Sequence, residues 1–261
     1  MANFHYIVKK EPTPNLQTLK DDIDSRRDNE YFRPNGTQIY VGRQGQGKTI
    51  SAVYHMRKLK KRYPKAIVVS NLDLTEYQPV SHKYVLEFGI DPQKQYVYFQ
   101  TQEELHLVLV GINNDKYGVI YLIDEIHTYF NSLESKNTPM FVFTEISQQR
   151  KQRKLIIGTS QLFERSSKPL REQVDNVIIC RTRFGVFTTH TVYDGVTLEQ
   201  DYNGKYVGEK RRFGFFIQDR KTRNAYDTFQ KVVSGVDQLS EIQKPLSIEI
   251  TGKLKKKITL K

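Results

Sequence analysis

The segment Val41-Gly42-Arg43-Gln44-Gly45-Gln46-Gly47-Lys48-Thr49 carries Gly-x-x-x-x-Gly-Lys-Thr, a phosphate-wrapping loop. In such a loop backbone N–H groups surround a polyphosphate, the lysine reaches its β- and γ-phosphates, and the threonine hydroxyl ligates Mg²⁺. Glycine is required because only it lets the backbone approach an anion and take positive φ without cost. The expected nucleotide-binding set is therefore Gly42, Arg43, Gln44, Gly45, Gln46, Gly47, Lys48, Thr49 and Ile50, with Thr49 also a metal ligand.

A second acidic element follows in Val-Ile-Tyr-Leu-Ile-Asp124-Glu125. Here an apolar strand would deliver Asp124 to the Mg²⁺ shell through water and Glu125 to orient and deprotonate the attacking water. The added Glu125, together with the absence of the guanine-reading Asn-Lys-x-Asp signature, favours sustained ATP hydrolysis over phosphoryl transfer to a small acceptor. A third element, Lys-Leu-Ile-Ile-Gly-Thr-Ser-Gln161, ends in polar groups at the carboxyl edge of the expected sheet, where a γ-phosphate lies. Upstream, Ser147 to Lys154 carries Arg150 and Arg153. An arginine there can stabilise transition-state charge, or can simply be the solvated basic end of a helix. The implied ligands are ATP and Mg²⁺.

The surrounding pattern supplies the elements these residues need. A strand is expected at 37–41, then a helix from Lys48 to Arg62 on the spacing of Ile50, Val53, Met56 and Leu59, stopped by Pro64. Short continuous apolar strands are expected at 66–70, 95–99, 119–123, 154–158 and 177–180, and helices at 101–110, 139–149 and 162–173. That alternation predicts an α/β fold: a P-loop NTPase with a mostly parallel sheet covered by helices on both faces. Beyond Cys180 the dipeptides Asp194-Gly195 and Asn203-Gly204 predict hairpins, hence a β-rich C-terminal extension. The expected organisation is an N-terminal arm (1–36), an ATPase core (37–182), a hairpin-rich extension (183–235) and a basic tail (236–261).

The 261 residues suffice for one substantial core. Lys plus Arg number 41 against 29 Asp plus Glu, a formal net charge of +12, which favours a polyanionic partner such as nucleic acid or an anionic membrane surface. One cysteine, Cys180, allows no internal disulfide and suits a reducing compartment. The N-terminus has no signal-peptide pattern and no apolar run reaches spanning length, so no transmembrane segment is expected. The basic segments 57–62, 209–212 and 219–223 are available for phosphates, with neighbouring Phe and Tyr for bases, although a solvated helix face is the simpler account of 57–62.

Together GRQGQGKT, VVSNLDL, LIDEIHTYF and an arginine eleven residues before a strand-terminal glutamine resemble the FtsK-HerA superfamily of pumping ATPases. Within it the chain is most similar to the zonular-occludens-toxin-like ATPases, relatives of the filamentous-phage assembly ATPase. The resemblance covers residues 37–182. It implies that Gln161 senses the γ-phosphate, that Arg150 or Arg153 acts across a subunit interface, and that the chain forms a ring, usually hexameric, around DNA. Arg153 stands where the FtsK-like pattern often has glycine, and toxin-like relatives usually carry a membrane-spanning segment that is absent here. A DEAH-type helicase is disfavoured, because the chain has no room for a second α/β core.

The expectation is an ATP-driven, ring-forming DNA translocase of a phage or mobile element, packaging or exporting a genome. It would work in the host cytoplasm or on the periphery of a virion vertex or membrane complex. The alternatives are an assembly ATPase acting on phage structural or membrane protein partners, and a nucleotide-gated structural subunit.

Overall fold

The computed structural model describes residues 31–131, 138–202 and 204–227. The tail 236–261, the first thirty residues of the arm and Asn203 lie outside the described residues.

A nine-stranded sheet organises them, in the order β11-β8-β7-β1-β6-β5-β2-β4-β3, where β1 is Gly36–Val41, β2 Ile67–Ser70, β3 Gln78–Val80, β4 Gln95–Tyr98, β5 Val119–Ile123 and β6 Lys154–Ser160. The remaining sheet strands are β7 (Val174–Arg183), β8 (Phe187–Asp194) and β11 (Lys210–Ile217); β9 (Glu199–Gln200) and β10 (Tyr206–Val207) form a separate ribbon. Neighbours from β3 to β7 run parallel, and β8 and β11 add antiparallel strands at one end.

Helix α1 (Lys48–Arg62) covers one face through Ala52, Val53 and Met56. Helices α3 (Gln102–Gly111) and α4 (Met140–Ser147) cover the other with Leu105, Val108, Leu109, Val142, Phe143 and Ile146. Burial on both sides explains the unbroken apolar runs 67–69 in β2, 119–123 in β5 and 155–157 in β6, since every residue of the three strands is buried. Helix α3 starts with a capping box between Thr101 and Glu104.

The structure departs from the expected elements in several places. The helix expected at 162–173 is a single turn at Phe163–Arg165 and a short helix α5 (Lys168–Arg171). Between them Ser167 N donates to Phe130 O at 2.8 Å, and the preceding extended residues lead into Pro169, so the chain is pulled out of a continuous helix. Strand β3 and helix α2 (His82–Phe88) were not expected; Pro79 in β3 is tolerated because that strand is the sheet edge. Asp194-Gly195 is not a hairpin turn: a Cβ at Gly195 would collide with the Val174 carbonyl, so glycine there answers to a close crossing of two chains. The β7–β8 turn lies at Phe184-Gly185, both at positive φ (54° and 68°), with Val186 N donating to Arg183 O at 3.3 Å. Gly204, at φ 71°, lies between β9 and β10 as a hairpin requires. The extension therefore continues the central sheet through β8 and β11. Phe32, on the N-terminal side of β1, is buried edge-to-face against Tyr63 with ring centroids 5.1 Å apart.

Several residues of the basic segments, available in the sequence for phosphates or for a solvated face, hold the fold instead. Arg57 pairs bidentately with Glu76, and Lys60, buried and pushed down to about 8, donates to the Pro64 and Ala66 carbonyls. Arg211 binds Asp194, Asn176 and the Asp175 carbonyl, and Arg223 binds Gln218 and the Gly185 carbonyl.

Candidate functional site

The loop 42–47 joins β1 to α1 at the carboxyl edge of the parallel strands. Gly45 and Gly47 take φ of 76° and 77°. Gly47 caps α1 without a side-chain bond, and the first turn holds no acidic residue, so its N–H groups and the positive end of the helix dipole are left for an anion. The loop is stitched to its neighbours: Gly42 N donates to Ser160 O at 3.3 Å and Thr182 N to Gln46 Oε1 at 3.2 Å. Arg43, Gln44 and Gly45 are exposed, whereas the side chains of Lys48 and Ile50 are buried.

Strands β5 and β6 place the acidic pair against this loop. Asp124 Oδ1 accepts from Thr49 Oγ1 at 2.9 Å and from Thr159 Oγ1 at 2.7 Å. Burial pushes the Asp124 carboxyl upward, and the Thr159 and Thr49 hydroxyls oppose that shift. Glu125 takes left-handed φ of 47°, which costs roughly 1–2 kcal/mol for a residue with a Cβ. Its N–H donates to Thr159 Oγ1 at 2.9 Å, fixing the turn that swings its carboxylate toward Lys48 Nζ, 3.5 Å away. The other oxygen, Oε2, is buried without a hydrogen-bond partner among the described residues, 3.3 Å from His127 Nδ1. Burial lowers the His127 pKa, and the Glu125 carboxylate opposes that shift. A carboxylate with one oxygen near a lysine and one unspent lone-pair set is poised to accept a proton.

Asn71, at the end of β2, holds Asp124 by both backbone groups: Asn71 Oδ1 accepts from Asp124 N at 2.8 Å and Nδ2 donates to Asp124 O at 3.0 Å. Gln161 follows β6 and shares a cleft of about 900 Å³ with Gly42, Arg43, Gln46, Arg181 and Tyr206.

Of the expected residues, the structure brings Gly42 to Thr49, Asp124, Glu125 and Gln161 together at one edge of the sheet. Arg150 and Arg153 stand at the opposite, amino edge, beyond the first residue of β6. The seven residues of β6 put them about 20 Å from this chain's own loop. Arg153, at φ 52°, is engaged locally: its guanidinium lies 4.1 Å from the Tyr31 ring centroid, donates to Tyr31 OH, and donates to Asp115 O at 3.3 Å. Arg150 is exposed and makes no ion pair among the described residues. Sequence reasoning did not single out Asn71, Thr159 as a shared hinge for both acids, or His127; a polar residue directly after an apolar strand was the available signal for Asn71.

A glycine-rich loop between a central parallel strand and its helix, with a threonine–aspartate contact to the neighbouring strand, defines the P-loop NTPase fold. No protein-family profile matches the chain, and no curated protein sequence matches it. Among solved structures it is similar to the N-terminal domain of zonular occludens toxin from Neisseria meningitidis, at 14% identity and TM-score 0.50, over 74% of this chain and 98% of that one. It is also similar to the genome packaging NTPase B204 from Sulfolobus turreted icosahedral virus 2, in complex with AMP (16% identity, TM-score 0.48, 67% of this chain and 96% of that one) and in complex with ATP-gammaS (15% identity, TM-score 0.48, 66% and 95%). The toxin domain carries the fold that the sequence motifs resemble. No helix among the described residues is long and apolar enough to cross a membrane.

Proposed function

We propose that this chain is an ATP-hydrolysing motor that forms a ring, expected to be a hexamer, and moves DNA for a phage or mobile element, in genome packaging or export. The observation that carries the ATPase reading is the connected set Thr49–Asp124–Thr159–Glu125–Lys48 at the mouth of the glycine loop, with Thr159 and Lys48 buried and the rest half-buried. The hydroxyl and carboxylate of Thr49 and Asp124 suit Mg²⁺, whose chemistry when bound is to neutralise charge on the phosphoryl oxygens. Residues 42–50 hold the phosphates by their N–H groups, and Lys48 moves its charge from Glu125 to the β- and γ-phosphates. Glu125 then accepts a proton from the attacking water while that oxygen bonds to phosphorus and the bridging P–O bond to ADP breaks. Gln161, beside the loop, reports phosphate state to the sheet edge. Arg150, without an ion pair among the described residues and far from its own loop, is suited to reach a neighbour's site, which favours it over Arg153.

The DNA reading rests on the net charge of +12 and on the resemblance of the motifs. It places the chain in the host cytoplasm or at a virion or membrane complex. Lys48→Ala should abolish ATP turnover, and Glu125→Gln should bind ATP while turnover falls at least about 10³-fold; normal turnover in either refutes the site. Mixing Arg150→Ala with Glu125→Gln subunits should restore activity, and no recovery at any ratio counts against a shared interface. ATPase that DNA leaves unchanged would favour an assembly ATPase acting on protein partners.

A further inference from the structure

The antiparallel end of the sheet has a face that no described helix covers. On β11 the side chains of Phe213, Phe215 and Ile217 point to it, 66%, 63% and 68% exposed. Their partners across the ladder are Thr191, Thr189 and Phe187 of β8, and the next partners inward on β7 are Ile179, Arg181 and Arg183. Phe187 packs on Phe215 with ring centroids 5.3 Å apart. Both arginines are exposed, and neither guanidinium pairs with a carboxylate among the described residues. The other face of β11 is different: Phe216 is buried and stacks on Tyr54 of α1 at 4.6 Å. The aromatic exposure is thus confined to one side, where the pleat puts alternate side chains about 7 Å apart.

A hydrophobic face awaiting another protein would ordinarily be poor in charge at its centre. This one combines aromatic rings, threonine hydroxyls and arginines that meet no carboxylate among the described residues. It also runs into the cleft beside the glycine loop, where Arg181 and Thr191 line both. We infer that the exposed face of β7, β8 and β11 is a stacking platform for single-stranded nucleic acid, with Phe213 and Phe215 under the bases and Arg181 and Arg183 on the phosphates. This inference deepens the reading of the chain as a DNA motor and rests on it. Every base offers a π-face, so the platform tolerates sequence, and the continuity with the cleft places the bound strand beside the nucleotide site.

The probe is a fluorescein-labelled 20-mer of deoxythymidine, titrated with the full chain and followed by anisotropy. Loss of a stacking ring costs about 5- to 150-fold in affinity. Phe213→Ser/Phe215→Ser should therefore bind the oligonucleotide at least about 10-fold more weakly, with ATPase in the absence of DNA unchanged. Arg181→Ala/Arg183→Ala should flatten the salt dependence of binding, reducing the log–log slope by about 1.4. A 20-base-pair duplex should bind more weakly than the single strand, since its bases cannot reach the rings. The inference is overturned if the double phenylalanine variant keeps wild-type affinity, or if the duplex binds as tightly as the single strand. It is also overturned if the variant loses self-association while oligonucleotide binding is retained, which would assign the face to a second copy. Wild-type DNA binding with an unaffected variant sinks the platform alone, whereas no DNA binding or stimulation in the wild type sinks the motor reading as well.

Discussion

The centre of the sheet and its antiparallel end use the same strand geometry for opposite purposes. At the end of β6 the polar group that matters is buried and committed: Thr159 has no exposure and its one hydroxyl serves both acids. At β8 and β11 large aromatic groups are exposed, and beside them two arginines of β7 pair with no carboxylate among the described residues. At the centre, chemistry and stability depend on the same hydrogen bonds, so a substitution there should damage both. At the end, binding groups stand on a ladder that does not need them, so a substitution there should damage binding alone.

The largest effect expected of this difference is at Gly47. An alanine there meets two independent costs: φ of 77°, worth roughly 1–2 kcal/mol, and a Cβ 2.5 Å from Thr182 Oγ1, which is itself bonded to Thr188 at 2.8 Å. Gly47→Ala should lose ATP binding by about 30- to 150-fold in calorimetry, as about 2–3 kcal/mol of strain and displaced contacts falls on the cradle. Thr159→Val comes next. The shape is kept, but Glu125 N and one interaction of Asp124 are left unpaired in a buried place, a cost of about 1–3 kcal/mol. Its urea midpoint should fall and its turnover drop about 10- to 100-fold if that cost falls on the reactive geometry. By contrast, Phe213→Ser should stay within about 0.5 kcal/mol of wild type in stability. A Thr159→Val variant of unchanged midpoint would break the comparison.

The legible part of the molecule was the part where a residue's type answers to one job. Gly45 and Gly47 take positive φ in the loop, Thr49 meets Asp124 at its end, and the runs 119–123 and 155–157 are apolar on both sides because both sides are covered. Gln161 was legible because β6 ends directly before it. The less legible part depends on contacts between segments far apart in the chain. Asn71 reads as a turn residue until β2 is placed beside β5, and Lys60 reads as surface charge until the Ala66 carbonyl is seen above it. Asp194-Gly195 carries a hairpin signature, yet its glycine answers to the Val174 carbonyl, which no local window contains. The stripe Phe213, Phe215, Ile217 has strand period in the sequence, but which side of it stays open follows only from the strand order and from α1 occupying the other face.

The smallest effect lies at the seam between the two regions. His190 of β8 and His55 of α1 face each other across Tyr40, with Arg212 and Lys58 nearby. The Ser51 hydroxyl donates to Gly47 O at 2.5 Å, so His190 Nε2 is the donor in its 2.9 Å contact with Ser51 Oγ, and the antiparallel end touches the phosphate loop through two hydrogen bonds. Burial, helped by the positive charge of Arg212, holds both imidazoles down to about 4. Below the unfolded value of about 6.5 the unfolded chain takes up protons that the folded chain refuses. Stability is therefore whole above about pH 6.5 and falls as pH drops from there toward 4, by about 1 kcal/mol per imidazole between about pH 7 and 5.5. His190→Gln, whose amide can still donate to Ser51, should show a shallower fall of the urea midpoint over that range. An unchanged slope in His190→Gln and in His55→Gln would mean that the seam carries no proton linkage and that the two regions resist acid independently.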